Sequence, residues 1–157
     1  MLQRIQTIFL FLIAVAMGVA LVNPIWQKFG TNPADLARLT ALEYSEKSGI
    51  STIVSPVWYL GLLMLAVAVI CIYAITQYRN RLRQTFLSAI NSLLMTGIMG
   101  ITLYMTLYKG REFGSESDQG NFLLGFYAII ASLVLNTLAN RAIRRDERKV
   151  RESERFR

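Results

Sequence analysis

The sequence contains no histidine and one cysteine, Cys71, in 157 residues. One thiol cannot close a disulfide within the chain, and without histidine neither a haem site nor an ordinary zinc site has a ligand set. Charge is also scarce: 17% of the residues are Asp, Glu, Lys or Arg, against 54% hydrophobic. That balance is more apolar than in an average soluble domain and points to the bilayer as the solvent. Four runs, Thr7 to Val22, Val57 to Ile75, Phe86 to Leu107 and Phe122 to Leu138, hold no Asp, Glu, Lys, Arg or His. Proton relays and ion pathways usually place ionisable groups inside such spans. The sequence has no Ser/His/Asp set, no Gly-rich phosphate loop and no paired carboxylate within a run, so no catalytic residue is assigned, no cofactor is expected and the chain reads as a non-enzyme.

What the chain does have is a divider. Arg79-Asn80-Arg81-Leu82-Arg83 puts three arginines into five residues between two apolar runs. Each arginine would cost about 2.5–3.5 kcal/mol at the centre of a bilayer, so Arg79, Arg81 and Arg83 mark a turn outside the membrane. The spans then read as about 5–26, 57–76, 86–107 and 122–140, each near the length that crosses roughly 30 Å at 1.5 Å per residue. A cleaved signal peptide is the competing reading of the first span, since Ala14, Ala16, Gly18 and Ala20 offer small residues for cleavage. As an internal helix, its Ala14-x-x-x-Gly18 spacing suits close packing instead. Trp26, Trp58, Tyr59, Tyr78, Tyr104 and Tyr108 fit an interfacial belt at the span ends. Twelve of the seventeen basic residues fall before the first span, in the arginine turn or after the fourth span, which puts both termini in the cytoplasm. The same topology accounts for the net charge of +7 without nucleic acid.

The outer loop 27–56 is the longest polar segment and is neutral. Thr31-Asn32-Pro33 reads as a helix start, with Asn32 as cap and Asp35 near the positive end, and Gly49 reads as its stop. Such a helix would show Leu36, Leu39 and Leu42 on one stripe, lying on the membrane or capping the bundle. Ile50 to Val54 is β-branched and reads as a short strand or an extended return. The segment from Lys109 to Asn121 reads as a turn, its acids Glu112, Glu116 and Asp118 solvated.

The fold class is therefore an all-α membrane protein: four transmembrane helices in an up-down bundle with a small outer element in the first loop. Residues 1–140 form that domain, and 141–157 form a charged cytoplasmic tail in which Glu147–Arg151 and Arg148–Glu152 pairs support a helical extension. Ser88, Ser92, Thr96 and Gly100 in the third span, and Ala128, Ser132, Asn136 and Asn140 in the fourth, recur every fourth residue and mark packing seams. Asn91 and Asn136, with Gln77, are the candidate intramembrane polar contacts. They are read as bonds between helices or, alternatively, as the lining of a polar path. Cys71 reads as a small hydrophobe. Arg141, Arg144, Arg145, Arg148 and Lys149 lie just inside the membrane as a topology anchor or a contact surface for anionic lipid or a protein partner.

Two stretches carry a family resemblance. The opening Met1-Leu2-Gln3-Arg4-Ile5-Gln6-Thr7, running straight into the first span, is one. The other is the closing Ala142-Ile143-Arg144-Arg145-Asp146-Glu147-Arg148-Lys149-Val150-Arg151 with Arg155-Phe156-Arg157. The chain resembles a Bacteroidetes family of small four-helix integral membrane proteins catalogued as a domain of unknown function. The resemblance implies an inner-membrane protein of a Gram-negative bacterium and brings no catalytic residues. The layout is also similar to claudin-like proteins, but without the paired cysteines of their first loop. Two functions follow as expectations: a structural or accessory component that binds lipid, other membrane proteins or itself, or else a small transporter or embedded enzyme subunit with a polar intramembrane cavity.

Overall fold

A computed structural model describes residues 2–32, 34–77, 81–114 and 118–155, with side chains described from 6 to 77 and from 83 to 145 within those ranges. Helix α1 (Leu2–Val22) leads into strands β1 (Trp26–Phe29), β2 (Leu36–Leu39), β3 (Glu43–Ser48) and β4 (Ser51–Pro56). Helices α2 (Trp58–Thr76) and α3 (Arg81–Tyr104) follow. A π-helical turn, Met105–Lys109, then carries α3 into the three-residue α4 (Gly110–Glu112). Strand β5 (Asn121–Phe122) precedes α5 (Leu124–Arg155), which continues unbroken into the charged tail.

Helices α1 and α2 are apolar on every side over their central turns, the pattern of a helix that meets apolar surroundings all round. On α1, Leu10, Ile13, Met17 and Ala20 are buried at steps of three and four, while Ile8, Phe11 and Val15 face outward. On α2, Leu60, Met64, Val67, Cys71 and Ala74 are buried while Leu62, Leu65, Val69 and Ile72 face outward. The four long helices pack in a ring, α1 between α5 and α2, and α3 between α2 and α5. Among the described residues, three helical stretches are long and apolar enough to cross a membrane: Trp58–Thr76, Arg83–Glu112 and Leu124–Arg145. The described apolar stretch of α1, Gln6–Val22, is shorter. Such helices are the signature of a membrane protein.

The all-α expectation is corrected by a five-stranded antiparallel sheet in the order β4-β3-β2-β1-β5. The helix expected after Asn32 does not form; Pro33 lies outside the described residues, and the chain beyond it alternates instead. Ala37 and Leu39 turn inward and Arg38 outward, a period of two that a stripe read from Leu36, Leu39 and Leu42 concealed. Thr40 makes the β2–β3 turn, its Oγ1 accepting from the Glu43 N–H at 3.1 Å and donating to the Glu43 carbonyl at 3.0 Å. Gly49 is a turn rather than a helix stop. Its φ of +56° supplies the first central position of the two-residue β3–β4 hairpin, where a type II′ turn requires a positive φ. The β-branched run 50–54 lies largely in β4.

The span boundaries also shift. Trp26 is a buried residue of β1 and not the end of the first span. Arg79 lies outside the described residues, while Arg81 and Arg83 belong to the first turn of α3, which starts five residues before the expected 86. The segment from Lys109 to Asn121 is more than a turn, since it holds α4 and the start of β5; Glu116 lies outside the described residues.

The sheet sits across the helix ends. Its inward residues on neighbouring strands run Trp26–Leu39–Tyr44 and Lys28–Ala37–Glu46. Gly110, at the end of the α3 assembly, leaves room for Trp26: a Cβ there would lie 2.6 Å from the indole Cη2. The Val57 N–H donates to the Leu42 carbonyl at the start of α2, and the Gly125 N–H donates to the Pro24 carbonyl at the start of α5.

Candidate functional site: a polar seam inside the bundle

Helices α3 and α5 meet along polar side chains. On α3 the buried stripe runs Gln84, Ser88, Asn91, Met95, Ile98 and Thr102, at steps of three and four. On α5 it runs Phe126, Ile129, Ser132, Asn136, Ala139 and Ile143. Ser88 of the α3 stripe and Ser92 beside it meet Asn136 and Asn140 of α5, and a hydrogen-bonded seam results. Ser92 Oγ is its centre: it accepts from Asn136 Nδ2 at 2.7 Å and Asn140 Nδ2 at 3.0 Å, and donates to the Ser88 carbonyl at 3.1 Å. A hydroxyl has one proton and two lone pairs, so Ser92 is saturated. Ser88 Oγ donates to Asn140 Oδ1. Asn91 turns toward α2 and donates from Nδ2 to Cys71 Sγ at 3.0 Å. Ser132 Oγ bonds within its own helix, to the Ile129 carbonyl at 2.7 Å.

Two atoms of the seam are left over. Asn91 Oδ1 and Asn136 Oδ1 are buried without a hydrogen-bond partner. An unpartnered buried polar group costs about 1–3 kcal/mol, which a small donor such as water would offset.

The sequence-predicted residues fall in different places. Asn91, Asn136, Ser88, Ser92 and Ser132 are in the seam, and Ala128 is half-buried against the core. Gln77 is not among them: it caps the end of α2, half-buried, its N–H on the Tyr73 carbonyl at 3.3 Å. Thr96 and Gly100 are corrected. Both are exposed, and a Cβ added at Gly100 would meet nothing within 4 Å. The reason is rotational: residues four apart turn by about 40° more than one full circle, so three such steps carry Gly100 about 120° away from Ser88. The Ala14–Gly18 spacing is corrected likewise, since a Cβ at Gly18 would touch nothing within 4 Å. Arg141, Arg144 and Arg145 are exposed on α5; Arg148 and Lys149 lie on the same helix, with side chains outside the described set. Arg83 is exposed and, with Tyr73, Phe86 and Leu87, lines an apolar surface groove of about 650 Å³.

Several buried polar residues escaped the sequence reading. Gln84 had a signal, lying one helical turn before Ser88 on the same stripe, and Gln6 is buried near the start of α1. Lys28 counted as one of six balanced loop charges, yet it is fully buried and donates from Nζ to the Gly110 carbonyl at 3.0 Å, a cation at a helix C-terminus. Beside it, Trp26 Nε1 donates to the Gln119 carbonyl at 3.0 Å. The Lys109 ammonium stands 5.8 Å from the centre of the Tyr44 ring. The Tyr44 hydroxyl is buried and makes no well-formed hydrogen bond. Burial, then the adjoining carboxylates of Glu46 and Glu112, pushes its phenol well above the ordinary tyrosine range. A cleft of about 350 Å³ opens nearby between Asp35, Glu46, Ser51 and Glu112. Asp35 in it is occupied structurally, its Oδ1 accepting the Gly49 N–H at 2.7 Å. Among the described residues, no group of three or more Cys, Asp or Glu is arranged to hold a metal ion.

The seam thus ties α3 to α5, and the sheet junction ties β1 to the end of the α3 assembly through Lys28 and Trp26. Compared with known families, residues 2–156 match the one described as Domain of unknown function (DUF4293). No curated protein matches the chain.

Proposed function

The chain belongs to the DUF4293 family, whose description assigns no activity, and from its own side chains we propose a four-span accessory protein of the bacterial inner membrane. In this reading α1 crosses the membrane with the other three helices, both termini are cytoplasmic, and the sheet caps the bundle on the outer side. The protein binds lipid or other membrane proteins and performs no chemistry of its own. The carrying observation is the seam: the hydroxyls of Ser88 and Ser92 and the amides of Asn136 and Asn140 are engaged across α3 and α5. Around that seam Leu10, Met17, Met64, Val67, Met95 and Ile98 are fully buried, as in a bundle closed to water. The distribution of basic residues supports the orientation. Arg83 on one side of the apolar groove and Arg141, Arg144 and Arg145 on α5 offer cations to anionic headgroups, at about 1 kcal/mol each near the surface.

The test is a pull-down of the tagged chain from its native membrane into nanodiscs, with co-purifying proteins and lipids identified by mass spectrometry. Stoichiometric recovery of a membrane protein, or enrichment of an anionic lipid over the bulk membrane, is the expected result. Recovery with neither would overturn the accessory reading.

The second reading, a transporter or embedded enzyme subunit, has one observation in its favour: the unpartnered Asn91 Oδ1 and Asn136 Oδ1. Two acceptors deep in a bundle suit a ligand that donates hydrogen bonds. This reading requires a small molecule to co-purify with the chain and to be lost from an Asn91→Leu, Asn136→Leu double variant.

A further inference from the structure

Strand β4 is an open edge. It pairs with β3 on one side and with no described strand on the other, and all six of its residues are exposed or half-exposed. Edge strands of natural proteins are usually short, charged or covered. The opposite edge of this sheet, β5, is two residues long. Strand β4 has none of those protections: Ser51-Thr52-Ile53-Val54-Ser55-Pro56 is uncharged and β-branched at its centre, with proline only at its end. Ile53 is 62% exposed, and Ile50 in the adjoining turn is fully exposed.

We propose that β4 pairs antiparallel with β4 of a second copy of this chain, joining two five-stranded sheets across a two-fold axis at Ile53. The hairpin geometry fixes which residues can do this. In a two-residue hairpin the closing pair, Ser48 with Ser51, is of the hydrogen-bonded kind, so Glu46–Ile53 and Tyr44–Ser55 are as well. Thr52 and Val54 therefore direct their N–H and C=O groups away from β3, toward the open edge. Centred on Ile53, the antiparallel register sets Thr52 against the partner's Val54 and Val54 against the partner's Thr52, both as hydrogen-bonded pairs. Ile53 meets the partner's Ile53 as the closer, non-hydrogen-bonded pair. Ser51 meets the partner's Ser55, and the exposed Ile50 meets the partner's Pro56. Read in either direction the strand is nearly the same, so each β-branched residue finds another and no charge faces its like. A self-complementary patch is what a two-fold interface requires.

The placement of the sheet permits the closure. Antiparallel pairing puts the two-fold axis perpendicular to the sheet; the inward face of this sheet meets a helix end at Gly110, and the loops flanking its strands bond to the starts of α2 and α5. The axis then runs along the bundle, the one direction in which two copies inserted the same way into one membrane can be related. Only this last step rests on the membrane reading; the strand pairing stands on the edge itself.

The test is a cysteine at the axis. Ile53→Cys, expressed at native level in intact membranes and treated with a mild oxidant, should give a covalent dimer on a non-reducing gel. Ser45→Cys, one strand inside the edge, and the unmodified chain, whose Cys71 is buried, should give none. Adding Val54→Pro removes an outward N–H from each copy and leaves the β3–β4 bonds in place. Losing those two hydrogen bonds should lower the cross-linking yield about tenfold. A thermal melt in detergent checks that this variant keeps its fold, and Val54→Thr, which retains the N–H, should keep the yield. Absence of a dimer with Ile53→Cys, equal cross-linking at Ser45→Cys, or an unchanged yield in folded Val54→Pro would each overturn the proposal.

Discussion

Ser92 shows how a small side chain can outweigh a larger one. Its hydroxyl is the acceptor for both Asn136 and Asn140, so Ser92→Ala leaves the buried Asn136 amide without a partner and the half-buried Asn140 with Ser88 alone. Removing it should cost about 1–3 kcal/mol. Asn136→Leu deletes one hydrogen bond together with an oxygen that had no partner, and should change stability by less than about 1 kcal/mol. Unfolding in mixed micelles followed by circular dichroism ranks the two; the reverse order would mean that Ser92 is not the centre of the seam. Tyr44 gives a pH signature at the sheet junction. Its pKa is raised on folding, so the folded state holds the proton more tightly than the unfolded chain. The corresponding stability is fully present below the unfolded value near 10 and is lost as pH rises above it toward the folded value. The drop in melting temperature between pH 9 and pH 11 should accordingly be smaller in Tyr44→Phe than in the native chain.

At the scale of elements, two glycines of one helix assembly separate packing from propensity. Gly110→Ala forces a methyl group against the buried Trp26 ring, with 2.6 and 2.9 Å to its nearest atoms, and should cost about 1–3 kcal/mol. Gly100→Ala meets open space and should be neutral or stabilising by up to about 1 kcal/mol. Thermal melts of the two variants side by side check both signs. The same pair marks how far the elements were legible. The helices announced themselves through long uncharged runs, and Asn91 and Asn136 stood out as amides where lipid offers amides nothing. Thr96 and Gly100 misled because a repeat of four was followed for three steps on a helix that repeats at 3.6. The strands were hidden for another reason. Each is two to six residues long, and the Leu36, Leu39 and Leu42 spacing mimics a helical stripe. Only pairing across strands reveals that Ala37 and Leu39 share a face with Lys28 and Trp26. A charge in a polar loop looks solvated until its strand is known, and Lys28, which β1 turns inward, is fully buried.

For the whole molecule, a ring of apolar helices carries a sheet over its ends. Along the α3–α5 seam Ser88, Ser92, Asn136 and Asn140 bond to one another, while Asn91 reaches across to α2. Cys71 is a native reporter of that packing, because it is fully buried and receives the Asn91 amide at 3.0 Å. The most direct measurement is the rate at which a small water-soluble thiol reagent modifies Cys71 in the native chain, in intact membranes and then in denaturant. A closed bundle predicts no modification over hours in membranes and full modification once denatured. Rapid modification in the folded protein would mean that water reaches the seam, and a polar path would replace the closed bundle.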